Sequence, residues 1–279
     1  MPASLAACGG AGAASVPSAK VDRFDEVRAF RILRAQVERF GNRPAGSPAS
    51  RRAGDYLRPL LPGGRFEAVP GGLRNIVGVV PGTKPAIVIG AHYDTEALPA
   101  DFVGANDSAA GTAGVIELAR TLSSELPAGH REIRFVLFDG EEDPPGCNEK
   151  DFEFCALRGS RIYAAAHRRE VGDMILLDYI ANRDARIPRE ENSSPELWER
   201  LRVAADQVGT ESTFPATTQT PVLDDHIPFL EQGVPSIDLI DFSYRYADSV
   251  QDTPDKLEPA VLDLVGETVA QLVINLSAR

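Results

Sequence analysis

The feature that most constrains the fold of this chain is an alternation of short apolar runs with longer helical patterns. Five runs rich in β-branched residues and bounded by Gly or Pro predict strands: residues 75–80, 86–91, 133–138, 174–179 and 236–240. Helical patterns lie before, between and after these runs: residues 24–40, 48–60, 107–123, 157–167, 195–208, 227–232 and 259–276. The runs lack strict polar alternation, which is typical of strands covered on both faces. The sequence therefore predicts a three-layer α/β/α sandwich around a mostly parallel, mixed central sheet.

Length and the N-terminal composition indicate the domain organisation. The chain has 279 residues, of which 43% are hydrophobic, and it shows no internal repeat or interior linker. We therefore predict one domain over residues 21–279. Residues 1–20 are small and low in complexity, and we predict a flexible leader there. Residues 5–9 resemble a bacterial lipoprotein box, which would make Cys8 a lipidation site; a chance match in an Ala/Gly-rich leader is the alternative.

The charge balance excludes some classes of partner. There are 41 Asp and Glu residues against 29 Lys and Arg, which gives a formal net charge of −12. Nucleic acid and anionic lipid both need a basic face, so neither is expected as a partner. No stretch reaches the roughly 18 uninterrupted apolar residues of a membrane-spanning helix. We expect a globular monomer without a transmembrane span, attached to lipid only if Cys8 is an anchor.

Polar residues follow the predicted strands at the edge where the site of an open α/β sheet is expected. In chain order they are His92, Asp94, Asp107, Glu141, Glu142, Asp178, Asp224, Asp225 and His226. One imidazole and several carboxylates in one crevice cannot stay ionised together without a cation, because like charges raise one another's pKa. Imidazole and carboxylate ligands without a thiolate suit zinc at a catalytic site. The sequence therefore predicts a zinc enzyme.

The spacing of these residues in the sequence suggests different roles for some of them. Asp94 is placed to accept the second N–H of the His92 ring. Glu141 and Glu142 point to different sides of the chain, so one can bind metal while the other is a general base. Asp107 is either a site residue or a helix cap.

The cysteines carry a prediction about the compartment. Cys147 and Cys155 lie eight positions apart in one polar segment. In an exported protein they would form a local disulfide, whereas in a cytosolic protein they would be free. Together with the lipoprotein-like leader, they predict a disulfide and an extracytoplasmic bacterial location: periplasmic, on the cell surface or secreted.

The motifs at these positions resemble, in order and spacing, those of the M28 family of zinc aminopeptidases, which also contains the glutaminyl cyclases. The family motifs are His92-Tyr93-Asp94-Thr95, residues 104–109, residues 138–142, Leu177-Asp178 and Asp252-Thr253. Features that resemble the cyclase branch are residues 102–105, the long insert between Glu142 and Gly159, and residues 224–230 followed by 233–235. The resemblance covers roughly residues 41–258.

The resemblance implies a metal-binding role for five residues. His92 and Asp178 would hold one zinc, and Asp107 would bridge to a second zinc bound by Glu142. Counting back from the Asp-Thr motif, Asp248 stands where the family has its last histidine ligand. An aspartate can ligate zinc through oxygen, but its side chain is shorter. We therefore expect one or two zinc ions, with Asp248 as a ligand of the second.

The resemblance also implies catalytic and substrate-binding roles. Glu141 would be the general base, Asp94 would orient the histidine ligand, and Asp224 would stabilise the substrate or a proton in transit. Asp225 and His226 are expected to bind substrate, with a plain helix start as the alternative.

Three functions are compatible with this set, and each has a peptide or protein N-terminus as its partner. The first is an aminopeptidase, in which metal-activated water releases the N-terminal residue with Glu141 as base. The alternative is a glutaminyl-peptide cyclotransferase, which converts N-terminal glutamine to pyroglutamate. The third is a catalytically inactive peptide-binding homologue, which the Asp248 replacement suggests.

Overall fold

The five apolar runs predicted as strands form one sheet in the computed structural model, which describes residues 16–277. The strands are β1 (Arg65–Val69), β2 (Leu73–Val80), β3 (Thr83–His92), β4 (Arg131–Phe138), β5 (Val171–Asp178), β6 (Arg189–Glu190), β7 (Thr218–Gln219) and β8 (Ser236–Ile240). The helices are α1 (Glu26–Phe40), α2 (Pro48–Leu57), α3 (Gly111–Glu125), α4 (Phe152–Cys155), α5 (Arg158–His167), α6 (Pro195–Val208), α7 (Ile227–Glu231) and α8 (Pro259–Ser277). Residues 1–15, with the predicted lipidation site Cys8, and residues 278–279 lie outside the described part.

The sheet is mixed and mostly parallel. Its strand order is β1-β2-β4-β3-β5-β8, and β6 and β7 pair separately. β4, β3, β5 and β8 run parallel, whereas β2 is antiparallel to β4 and β1 is antiparallel to β2. Parallel neighbours need crossover connections, which contain α3, α5 and α6. The predicted three-layer α/β/α sandwich is confirmed.

Alternate side chains of the strands divide between two apolar cores, one on each face of the sheet. In β3, Ile87 and Ile89 belong to the larger core, to which α1, α3, α6 and α8 contribute, and Val88 belongs to the smaller core. Tyr163 of α5 and Phe229 of α7 complete the smaller core. Burial on both faces explains why the strands read as apolar runs.

Three of the differences from the prediction have identifiable reasons. β1 is absent from the predicted set because it is a short edge strand that contains the charged residues Arg65 and Glu67. α3 begins at Gly111 and not at residue 107, because Asp107 and Ser108 have non-helical φ/ψ angles. β5 ends one residue early, because the next residue has a φ of 44°.

Helix α8 has the composition of a membrane span but the surroundings of a core helix. It is the one helix within residues 16–277 that is long and apolar enough to cross a membrane, with a mean hydropathy of 1.3. However, 72% of that window is buried inside the protein. The buried carboxylate of Glu267 interrupts the apolar stretch and accepts the backbone N–H of Phe24 at 2.7 Å. The helix therefore anchors the segment that precedes α1.

Candidate active site

The imidazole of His92 is the centre of a buried cluster at the carboxyl edge of the sheet. His92 is the last residue of β3 and is 2% exposed. Its Nε2 atom lies 3.2 Å from Asp107 Oδ1 and 3.5 Å from Asp178 Oδ1. Its Nδ1 atom lies 3.8 Å from Asp94 Oδ1 and 3.9 Å from Glu141 Oε2. The fold thus brings together one imidazole and four acids, three of which are distant from it in the sequence.

Asp94 fixes the end of the neighbouring strand more directly than it fixes the histidine. Its two carboxylate oxygens accept the backbone N–H groups of Glu141 at 3.2 Å and of Glu142 at 3.3 Å. The 3.8 Å separation from His92 Nδ1 is too long for the hydrogen bond expected from the sequence. The backbone carbonyl of His92 is held instead by Thr112 Oγ1, which donates to it at 2.7 Å. Asp94 therefore positions the two glutamates.

His92, Asp107 and Glu142 fit a metal ion. They offer ligand atoms that all lie within 4.8 Å of one another, and all three residues are buried. Glu142 Oε1 and Asp178 Oδ1 are buried without a hydrogen-bond partner in the described part of the chain. Buried acceptors without a partner are costly, and a cation removes that cost. An imidazole nitrogen with carboxylate oxygens is a donor set that zinc accepts at catalytic sites.

Like charges and burial shift the pKa values in this cluster. Burial and the charge of Glu142 raise the pKa of Glu141 well above its usual range, and His92 opposes this shift. Burial and Asp107 likewise raise the pKa of Glu142. Burial lowers the pKa of His92, but the carboxylates of Asp107 and Asp178 beside the ring outweigh it, and the net shift is upward. A metal must displace these protons before it can bind, because its ligands bind in their deprotonated forms.

The segment that carries Asp107 is irregular and is held by a distant acid. Gly104 has a φ of 52°, and Ser108 has a φ of 87°. The Asp252 carboxylate accepts the backbone N–H groups of Asn106 and Asp107, both at 3.0 Å. The helix-cap alternative for Asp107 is wrong, because α3 starts after Ala110 and its N-terminus has no side-chain cap among the described residues. Asp107 is free to face His92 because of this distortion.

Asp248 lies in the same cavity but is separated from the ligand group by a tyrosine. The hydroxyl of Tyr179 lies 2.8 Å from Asp107 Oδ2 and 3.0 Å from Asp248 Oδ1. Burial and the charge of Asp107 raise the pKa of Asp248. Within residues 16–277, the group whose ligand atoms meet within 4.8 Å does not include Asp248. Its role as a ligand of a second zinc stays a prediction.

The cluster opens onto a cavity of about 430 Å³. Metal-site acids form part of its wall, together with Glu141 and Asp224. Apolar side chains, among them Phe152, Leu223 and Phe242, form another part. Phe152 lies in the segment closed by the disulfide between Cys147 and Cys155, whose S–S distance is 2.02 Å. The insert after Glu142 thus contributes to the cavity wall.

Asp224 reaches the cavity, whereas the two residues after it lie behind the wall. Burial raises the pKa of Asp224 to about 7, with a further contribution from Asp178. Asp225 and His226 are 0% exposed and are not among the described residues that line the cavity. His226 Nε2 lies 3.2 Å from Glu190 Oε1. Direct contact of Asp225 and His226 with substrate, expected from the sequence, does not match this placement.

The comparisons with known proteins agree with this geometry. The profile of Peptidase family M28 matches residues 75–273, which include the whole cluster around His92. The chain belongs to peptidase family M28. It is therefore an M28 zinc metalloenzyme, an aminopeptidase or a glutaminyl cyclase, with a buried metal site formed by His92, Asp107 and Glu142.

The relatives of this M28 enzyme differ in how much of the chain they match. A glutaminyl-peptide cyclotransferase from Bothrops jararaca is 26% identical over 284 residues, which cover 82% of this chain and 76% of the relative. Aminopeptidase YwaD from Bacillus subtilis is 31% identical over 183 residues, which cover 60% of this chain and 35% of YwaD. The crystal structure of an Acidobacteriales bacterium glutaminyl cyclase has a TM-score of 0.80 and 27% identity, and the alignment covers 98% of this chain and 100% of the other. These comparisons favour the cyclase branch over the hydrolase that the sequence ranked first.

Two residues of the M28 enzyme's site are absent from the set expected from the sequence. Tyr179 follows Asp178 directly, and its hydroxyl bridges Asp107 and Asp248. Asp252 belongs to a family motif, but only the fold shows that its carboxylate supports the Asp107 segment. A polar residue next to a predicted ligand is a sequence signal for the first, whereas nothing local identifies the partner of the second.

Proposed function

We propose that this M28 enzyme is a glutaminyl-peptide cyclotransferase, which converts an N-terminal glutamine to pyroglutamate and releases ammonia. One observation carries the proposal: Glu141 and Asp224, two buried carboxylates of raised pKa, line the cavity beside the metal residues and lie outside the ligand group. Cyclisation moves a proton between two nitrogens of one substrate, so it needs proton-carrying groups at that place. The match over nearly the whole length of a bacterial glutaminyl cyclase supports the same activity.

The residues of the cavity can be assigned to the chemistry. The α-amine nitrogen bonds to the side-chain amide carbon of glutamine, and the bond from that carbon to the amide nitrogen breaks. Glu141 takes the proton from the α-amine and delivers it to the departing nitrogen, so the reaction consumes no proton overall. Zinc held by His92, Asp107 and Glu142 supplies Lewis-acid polarisation of the amide carbonyl when bound.

Asp224 stabilises the protonated forms on either side of the transfer. Its charge is among those that raise the pKa of Glu141, so its protonation state sets how strongly Glu141 holds the transferred proton. With its own pKa raised to about 7, Asp224 can hold or release a proton near neutral pH. The apolar part of the wall includes Leu223 and Phe242, which are exposed and therefore available to contact a bound peptide N-terminus.

A second candidate is an aminopeptidase, and one observation favours it. Asp107 and Asp178 each have a carboxylate oxygen within 3.5 Å of His92 Nε2, and the resemblance assigns these three residues to a metal bound beside the Glu142 site. Two metals would favour hydrolysis by activated water.

The two activities separate in one experiment. Zinc-loaded protein is incubated with matched peptides that begin with glutamine or with leucine, and the products are identified by mass spectrometry. Loss of ammonia from the glutamine peptide, with every residue retained, is the expected result. Release of free leucine with no cyclised product would overturn the proposal in favour of the peptidase. Zinc per chain, measured on the same sample, also tests the inactive-homologue hypothesis.

We also propose that the enzyme acts outside the cytoplasm. The Cys147–Cys155 disulfide supports this location, because such bonds persist in oxidising compartments. Fractionation of the source cells, with a Cys8→Ser variant as control for lipid attachment, tests the proposal. Recovery of the wild-type protein in the cytoplasm with both thiols reduced would contradict it.

A further inference from the structure

Arg43 is a fully buried arginine in the loop between α1 and α2, and the chemistry above does not use it. Every N–H of its guanidinium group is engaged, because a guanidinium has five and Arg43 makes five hydrogen bonds. The acceptors are the backbone carbonyls of Tyr93 (3.0 Å), Gly41 (3.1 Å), Val103 (2.6 Å) and Gly104 (3.1 Å) and the hydroxyl of Ser108 (2.5 Å). The surrounding backbone is therefore arranged so that each donor of the guanidinium group has an acceptor.

The charge of Arg43 has no direct counter-ion. All five acceptors are uncharged, and no ion pair of Arg43 occurs within residues 16–277. Burial lowers its pKa to about 10, while the charges of Asp107, Asp94 and Asp252 oppose that shift. The group therefore remains protonated at neutral pH. A buried cation without a paired acid is costly, so the fold retains it for what its hydrogen bonds hold in place.

Those hydrogen bonds connect the segment that carries His92 to the segment that carries Asp107. Tyr93 stands between His92 and Asp94 at the end of β3. Gly104 and Ser108 flank the irregular segment that contains Asp107, and both have positive φ angles. One rigid planar group thus connects the strand end to the distorted segment. The distance between these two segments is also what places His92 Nε2 3.2 Å from Asp107 Oδ1.

We propose that Arg43 is a positioning residue of the metal centre, whose guanidinium fork holds the Asp107 segment against the His92 strand end and thereby sets the affinity for zinc. The proposal rests on the His92/Asp107/Glu142 site and applies to cyclisation and hydrolysis alike. A lysine cannot replace the fork, because an ammonium has three donors on one atom and loses its proton readily when buried.

The test is the zinc affinity of Arg43→Lys and Arg43→Gln, measured by competition with a chromophoric chelator. Loss of an outer-shell partner commonly costs about 10–100-fold in metal affinity, and we expect a rise in Kd of at least about tenfold in both variants. Arg134→Gln is the matched control: Arg134 is 6% exposed and hydrogen-bonds to Glu132 and Glu170, neither of which belongs to the metal group. The control should lose thermal stability and keep the zinc Kd within about twofold.

The outcomes are decisive in both directions. If Arg43→Lys binds zinc with wild-type affinity, the guanidinium fork is not what sets the affinity, because a positive charge alone is then sufficient. Unchanged affinity in both variants would overturn the proposal altogether. If the Arg43 variants do not fold without zinc, Ser108→Ala removes a single acceptor of the fork. A raised zinc Kd in that variant supports the proposal, and an unchanged Kd overturns it. None of these readouts depends on which reaction the enzyme performs.

Discussion

The role of a single acid in this site depends on the other acids that lie next to it. Glu141 and Glu142 are adjacent in sequence, yet Glu142 offers an oxygen to the metal group and Glu141 does not belong to it. Both side chains line the same cavity, contrary to the opposite orientations expected from the sequence, and Asp94 fixes both backbone N–H groups. The two acids can therefore have different roles.

The division between the two glutamates predicts the effect of Glu141→Gln. The amide has the same shape but cannot accept a proton as a base, so turnover should fall by at least about 10²-fold. Zinc content should stay at the wild-type level, because the ligand group does not include Glu141. Turnover is measured with the preferred substrate from the product assay, and metal by elemental analysis. Glu142→Gln is the control and should lose zinc. Undiminished turnover in Glu141→Gln would contradict its role as base.

Asp248 supports a separate prediction about metal stoichiometry. If it ligates a second zinc, Asp248→His should tighten the second binding step, because imidazole is the ligand that the family has there. Isothermal titration of metal-free protein separates the two steps. Tyr179→Phe is the control, since it removes the hydroxyl between Asp107 and Asp248 and leaves both carboxylates. An unchanged titration in Asp248→His would argue that Asp248 is a cavity residue and not a ligand.

At the scale of elements, the segment before α3 shows how a backbone distortion makes a site. An α-helix from residue 107 would place Asp107 in a regular first turn; instead, the helix starts at Gly111. Gly104 is needed for this distortion, because it has a φ of 52° and an added Cβ would lie 2.3 Å from the Asp107 carbonyl oxygen. Few other residues could begin such a segment.

We therefore expect Gly104→Ala to destabilise the protein by more than about 1 kcal/mol and to weaken zinc binding. Gly129→Ala is a matched control, because Gly129 also has a positive φ, of 76°, and its added Cβ would meet nothing within 4 Å. The control shows the cost of the backbone angle alone. Chemical unfolding and zinc competition are measured for both variants. Equal losses of stability, with zinc affinity kept in both, would show that the collision at Gly104 does not matter.

At the scale of the whole molecule, the buried acids make stability depend on pH in an unusual direction. Burial raises the pKa of Asp224 to about 7 and, with the charge of Asp94, that of Asp139 to about 6. Between the ordinary carboxyl pKa, 3.8, and these values, the folded protein holds protons that the unfolded chain releases. Raising the pH through this window therefore favours unfolding. Acids with a lowered pKa, such as Glu170, change the free energy of unfolding at pH values below this window.

The free energy of unfolding of the metal-free protein should therefore fall between about pH 4.5 and about pH 7. Added zinc should reverse or flatten this trend, because metal binding displaces protons and stabilises the folded state that binds it. Urea unfolding with chelator and with zinc, across that range, measures both curves. A free energy that rises with pH in the presence of chelator would contradict the assigned burial of these acids.

The sequence by itself determined the layers of this protein and the edge at which its chemistry lies. Apolar runs between helical patterns indicate strands covered on both faces, and the carboxyl ends of parallel strands meet at one edge. The resemblance of the motifs at those ends to family M28 identified His92, Asp107 and Glu142 as metal residues, whereas the residues alone left the Glu141/Glu142 choice and the role of Asp107 open. Local pattern determines the layers and the edge because strand direction and side-chain alternation follow from the backbone.

Only the tertiary structure decided which groups support that edge. Arg43 and Asp252 lie far along the chain from Asp107, and nothing in their own neighbourhood shows that they hold its segment. The same holds for Tyr179, which comes to lie between Asp107 and Asp248, and for His226, which the fold places behind the cavity wall. Long-range hydrogen bonds and burial depend on how the layers pack, because each needs two distant segments at a fixed separation. The distance between two such segments in the folded protein cannot be read from either stretch of sequence alone.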